Sequence, residues 1–145
     1  MKIKITLIVI LLFSLAIKAQ DRKLDSTAIT SSIHTYIENF FENNFEAMNS
    51  SLHPRLAKRG FNPDGSLSED FPPGKLKELM ATKPKFELRH QQNTIDILGV
   101  FGNMASARLR TGYPNQRWTE YIHLLKEDGQ WKIINVFWEF SPKNN

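Results

Sequence analysis

Asp128-Gly129 lies between two runs rich in β-branched and aromatic residues, RWTEYIHLLKE and QWKIINVFWEF. Gly reaches positive φ without steric cost and Asp tolerates the left-handed region, so the pair predicts a tight hairpin over residues 117–140. A lone two-stranded ribbon is marginal in water, so the rest of the chain has to cover it. In the first arm, period two puts Trp118, Glu120, Ile122 and Leu124 on one face and Thr119, Tyr121, His123 and Leu125 on the other. In the second, Trp131, Ile133, Asn135 and Phe137 alternate with Ile134, Val136 and Trp138. Both faces are mostly apolar, so both need a cover. Which face is concave depends on turn length, because a one-residue slip exchanges them.

The chain ahead of the hairpin divides into a leader and a domain. Lys2 and Lys4 precede an apolar run, Ile5 to Ile17, that is short for a bilayer span and suits a signal-peptide core. The expected division is a leader over 1–19 and one domain over 20–145, exported to a periplasm or the medium and free of the membrane after cleavage. The formal charge is +4, but without Lys2, Lys4 and Lys18 only 16 of the 19 basic residues face 15 acidic ones. That near balance leaves no electrostatic footprint for nucleic acid. Cysteine is absent, which excludes thiol catalysis and Cys-type zinc sites. Four histidines without His-x-x-x-His spacing predict no metal site. Nothing calls for a cofactor.

Asp25 or Ser26 is the expected cap of a first helix, whose apolar stripe is Ile29, Ile33, Tyr36, Ile37, Phe40 and Phe41. Asn43-Asn44 should end it. Phe45, Met48 and Leu52 mark a second helix stopped at His53-Pro54. Arg55 to Phe61 is compatible with a turn of helix or a short strand. Asn62-Pro63-Asp64-Gly65 reads as a turn, and Phe71-Pro72-Pro73-Gly74 opens a third helix carrying Leu76, Leu79 and Met80. From Phe86 the period becomes two, with Gly102-Asn103 a second hairpin turn before Ala105, Ala107 and Leu109. Helices segregated from an antiparallel sheet give an α+β class, with the first helix laid across a bent sheet.

Three blocks, SLHPRLAKRGF, DILGVFGNMASARL and WTEYIHLLKEDGQWKIINVFWE, resemble the putative lumazine-binding branch of the nuclear transport factor 2-like superfamily. The resemblance implies a cone-shaped α+β fold, with three N-terminal helices on a strongly curved antiparallel sheet, and often a homodimer through the convex face. It implies no activity, because this fold carries isomerases, cyclases, dehydratases, hydrolases and binders alike. The isomerase pattern wants a tyrosine on the first helix, matched by Tyr36, and a carboxylate after the second; residues 53–59 hold no acid. The epoxide hydrolase pattern of Asp-Arg-Asp finds only Glu120, Arg59, Arg108 and Asp96 to draw on.

The candidate ligand-binding residues are Tyr36, His53, Arg59, Tyr121 and His123, and His53 is the candidate catalytic group, as an acid or base near neutral pH. A histidine that only fixes the turn before Pro54 is the structural alternative. Tyr121 and His123 line a pocket if their face is concave and a dimer interface if it is convex; the pocket is the expectation taken here. Arg59 with Lys58 is either a solvated pair or a carboxylate clamp at a pocket mouth. Three functions compete: a noncatalytic binder of a small molecule, an isomerase, dehydratase or hydrolase acting through His53, and an interaction module. The expected assembly is a homodimer through the outer face of the C-terminal hairpin.

Overall fold

The computed structural model describes residues 2–142. Met1, at the start of the expected leader, and 143–145, at the end of the expected domain, lie outside them. Three helices, α1 (Lys2–Glu42), α2 (Phe45–Asn49) and α3 (Pro73–Thr82), pack on a five-stranded sheet. The strands are β1 (Leu52–Gly60), β2 (Thr94–Phe101), β3 (Met104–Tyr113), β4 (Gln116–Glu127) and β5 (Gln130–Phe140), in the order β1-β5-β4-β3-β2. The class is α+β, as expected. The sheet is antiparallel from β2 to β5, and β1 adds to its edge in parallel with β5.

The backbone of α1 is helical through the segment read as a leader, so Asp25 and Ser26 do not cap it. Asp25 instead accepts from Lys126 Nζ at 2.8 Å and Trp131 Nε1 at 3.0 Å, which ties α1 to both arms of the hairpin. Farther along, Ile29, Ile33, Tyr36, Ile37 and Phe41 are buried, as their spacing requires. Asn43 ends the helix at φ 58°, a left-handed conformation Asn tolerates better than most side chains. The Asn44 side chain then caps α2 by accepting from Ala47 N–H.

Three expectations shift. The second helix stops at Asn49, and Leu52 opens a strand that carries His53 and Pro54. Proline is tolerated there because β1 is an edge strand whose pairing is interrupted between Leu52 and Ala57. Arg55 to Gly60 is therefore strand, with Leu56, Lys58 and Gly60 turned inward. The period-two segment begins only at Thr94, because a 3-10 turn occupies Leu88–His90.

The hairpin turn has two residues, Asp128 and Gly129, both at positive φ. A bulge follows between His123 and Leu124, opposite which β5 accommodates the extra Ile134. It lets Ile133 and Val136 both face the core, which strict alternation forbids. The concave face of β4 is thus Trp118, Glu120, Ile122 and Leu124. Further irregularities at Ile97/Gly99 and Leu52/Ala57 accompany the curvature of the sheet around α1. Ala105 and Ala107, small and buried, leave room under the helix.

Candidate functional site

The sheet and helices do not close at the end of the core formed by Tyr36, α3 and the start of β4. A cavity of about 600 Å³ remains, walled by Phe40, Phe71, Leu76, Leu79, Tyr113, Trp118, Trp138 and Phe140. Edge-to-face contacts set three of these rings: Tyr113 meets Phe41 at 5.2 Å, and Trp138 meets Phe140 at 5.1 Å. Gly60 lets Trp138 lie across β1, because a Cβ there would fall 2.1 Å from the Trp138 carbonyl oxygen and 2.3 Å from its ring. A larger cleft of about 1220 Å³ adjoins it and shares Pro114, Asn115, Gln116, Trp118 and Phe140. Exposed loop residues form much of it, and the buried polar groups belong to the smaller cavity.

Those groups are Tyr36, Lys58 and Glu120, from α1, β1 and β4. Lys58 Nζ donates to Glu120 Oε1 at 2.6 Å and to the Tyr36 hydroxyl at 2.8 Å. The Tyr36 O–H donates to Glu120 Oε2 at 3.0 Å, and Trp118 Nε1 donates to Oε1 at 3.1 Å. The carboxylate therefore holds three donors, while the ammonium uses two of its three hydrogens on these partners. Burial pushes the Tyr36 phenol well above its ordinary range, and the charge of Glu120 and the hydrogen bond to it push the same way. Tyr36 is therefore a fixed donor at neutral pH. The cluster is net neutral and closed on itself, the condition under which ionised groups persist in an apolar interior.

A second lysine reaches the same cavity from the other side. Lys83, just beyond α3, is half-buried, with Nζ 4.6 Å from the centre of the Phe40 ring. Burial lowers its pKa to about 8 against a smaller upward pull from Glu42. The only hydrogen bonds of its ammonium among the described residues are long ones to the carbonyls of Phe41 and Pro84, at 3.3 and 3.4 Å.

Of the five candidates named from sequence, the cavity contains Tyr36 alone. His53 is on β1 away from it: Nδ1 accepts from Arg55 N–H at 3.0 Å and Nε2 is 3.5 Å from Glu127. Its position beside Pro54 is a local brace. Arg59 points away from the cavity and grips Asp70 with two hydrogen bonds, 2.7 and 3.0 Å, so it clamps β1 to the segment before α3. Tyr121 and His123 are on the outer face, where Tyr121 is 49% exposed and His123 meets Asn135 at 3.1 Å. The pocket expected there is on the opposite side, because the two-residue turn puts Trp118 and Glu120 inward. Lys83 is the binding candidate that sequence reasoning passed over; Lys58 was weighed only beside Arg59, and Glu120 only with the wrong arginines. Among the described residues no group of three His, Cys, Asp or Glu could hold a metal ion.

The family described as putative lumazine-binding matches residues 24–139. No curated protein matches the sequence. Among solved structures, a nuclear transport factor 2-like protein of unknown function from Shewanella baltica is 21% identical, with TM-score 0.68 over 83% of this chain and 96% of that one. Another from Methylobacillus flagellatus is 25% identical, with TM-score 0.68 over 81% and 93%. A protein described as a putative scytalone dehydratase, from Novosphingobium aromaticivorans, is 15% identical, with TM-score 0.66 over 86% and 89%. These structures share the fold: helices on a curved sheet.

Proposed function

Because the chain belongs to the putative lumazine-binding family of nuclear transport factor 2-like proteins, we propose that it is a noncatalytic small-molecule-binding domain that holds a flat, largely apolar ligand in the cone. The observation that carries this reading is the pairing of an aromatic-walled cavity with a buried polar cluster whose carboxylate is fully engaged. Ligand sites combine such apolar walls with a few placed polar groups. Here the placed group is Lys58, whose third N–H is free to meet an acceptor on the ligand edge. Proton abstraction needs a free base in reach of the substrate. Among the described residues the one carboxylate lining the cavity already accepts from three donors, and no histidine lines it. The enzymatic alternative through His53 is set aside, since that ring lies outside the cone.

Calorimetric titration of the purified protein with pteridines, flavins and aromatic acids tests the proposal. Saturable binding with a raised unfolding midpoint is expected for at least one planar class. Absence of any heat or shift across all three at millimolar concentration would sink it.

Two further proposals accompany it. The first is export: the Lys2 and Lys4 flank and the Ile5 to Ile17 run support secretion with removal of residues 1–19. Mass measurement of protein recovered from the cell envelope or medium should find the leader gone; an intact Met1 terminus there would contradict it. The second is a homodimer through the outer sheet face, supported by the exposure of Tyr121 and Phe137 in mid-strand. That face is more mixed than the sequence suggested, since Arg108, Ser106 and His123 interleave with the aromatic residues.

A further inference from the structure

We propose that the ligand of the cone is an anion: a planar apolar body bearing one carboxylate, which pairs with Lys83 at the rim. The inference rests on the small-molecule-binding reading of the same cavity and adds the charge of what binds. Among the described residues three charged side chains line the cavity: Lys58, Lys83 and Glu120. Lys58 and Glu120 are 2.6 Å apart and cancel each other. What remains is the charge of Lys83, with no carboxylate within ion-pair distance among the described residues.

The nearest acid that acts on it is Glu42, at the end of α1. Glu42 is already committed: it pairs with Lys85 Nζ at 2.9 Å and accepts from Leu88 N–H at 2.7 Å. Among the described residues Lys83 thus retains only the Phe40 and Phe41 rings and two distant carbonyls as counterweights to its lost hydration. A cation in an apolar cavity without an opposite charge is costly, and a bound carboxylate removes that cost. The lowered pKa of about 8 reports the same deficit and leaves the amine mostly protonated at neutral pH.

Position fits the chemistry. Lys83 lies at the end of α3 beside Leu79, itself 38% exposed, so a carboxylate there stays near water. The body of the ligand then lies along Phe40 and Trp118, with its uncharged edge toward the spare N–H of Lys58. A ligand charged at its inner end would instead meet Glu120.

The test compares 2-naphthoate with 2-naphthamide, equal in shape and unequal in charge, by calorimetry at pH 7. The wild-type protein should bind the carboxylate about tenfold more tightly, the size expected for one charge-assisted contact. Lys83→Met should bind both at the level of the amide, and Lys83→Arg should keep the preference. Equal affinities in the wild type, or a preference that survives Lys83→Met, would overturn the anion inference while leaving the cavity reading intact. Failure of both compounds to bind would count against the cavity reading and take this inference with it. Unfolding midpoints of the variants check that each is folded at the pH of the titration.

Discussion

Lys58 Nζ and Glu120 Oε1 meet at 2.6 Å from strands at different places in the sheet, with side chains only 10% and 2% exposed. The two residues are 62 positions apart in sequence. Their strands are not neighbours, because β5 lies between β1 and β4, so the two side chains converge across its concave side beside Tyr36. The site is therefore a product of sheet topology: β1 joins the β5 edge, which sets Lys58 two strands from Glu120 on the same concave side.

Removal of one partner should leave an uncompensated buried charge. Lys58→Met should lower stability by about 3 kcal/mol, the lower end for breaking a buried pair. Lys58→Met with Glu120→Gln should recover much of that loss, since Gln still accepts from Tyr36 and Trp118. Urea denaturation of the two single variants and the double variant gives the coupling directly. Additive losses would mean that the pair is not energetically linked.

The sequence showed more of the fold than of the site. Asp128-Gly129 made the hairpin legible because its turn chemistry is local, and Asn43 did the same for the end of α1. The second arm was not legible in the same way. The bulge at Ile134 changes the inward parity halfway along β5, so no single alternation describes that strand. His53 was misplaced because Phe45, Met48 and Leu52 keep helical spacing even though the chain becomes a strand at Leu52. The charged pair did leave a trace. Lys58 falls between Leu56 and Gly60 on one strand face, and Glu120 between Trp118 and Ile122 on another, each a charge with uncharged neighbours on both sides in its row. Their meeting could not be read, because it depends on which edge β1 joins and in which direction.

Lys83 should leave a signature in the pH dependence of stability. Its pKa is about 8 in the folded protein and 10.5 as an ordinary lysine. Between these values the unfolded chain holds a proton that the folded one has shed, so stability contributed by this group rises with pH. Below about pH 8 both states are protonated and the full cost of burying the charge is felt. Glu42 and Lys85, the charged groups nearest in its surroundings, keep their own pair throughout this range. Relative to Lys83→Met, the wild type should gain about 1 kcal/mol from pH 8 to 10.5, a value reduced for the half exposure of the side chain. A difference that stays flat over that window would show that Lys83 is solvated as usual.

Gly60 should not accept a side chain. Ala at this position puts Cβ against the Trp138 carbonyl and ring, and the carbonyl belongs to the β1–β5 pairing. Trp138 would have to leave its place in the cavity wall. Gly60→Ala should cost about 2 kcal/mol in stability, in the range for overpacking, and should shift tryptophan fluorescence toward a more exposed environment. It should also weaken any ligand found for the cone. Wild-type stability together with an unchanged spectrum would mean that the backbone yields there without strain.

The outer face offers the last prediction. Arg108, Tyr121 and Phe137 stand side by side on β3, β4 and β5, and Phe137 packs edge-on against Phe61 at 5.5 Å. Tyr121, 49% exposed, is the central residue of this row. A two-fold axis through the row would set two copies of the same strip against each other and remove both aromatic pairs from water. Asp96 already binds Arg108 at 2.9 Å and Arg110 at 3.2 Å, so the nearby charges enter such an interface largely neutralised. Tyr121→Asp places an uncovered carboxylate at the centre, beside Arg108, which can satisfy it in the monomer. The wild-type protein should therefore scatter as a dimer at micromolar concentration and the variant as a folded monomer. A clean monomer mass for the wild type would end the dimer proposal, and the exposed aromatic row would then be an ordinary solvated face.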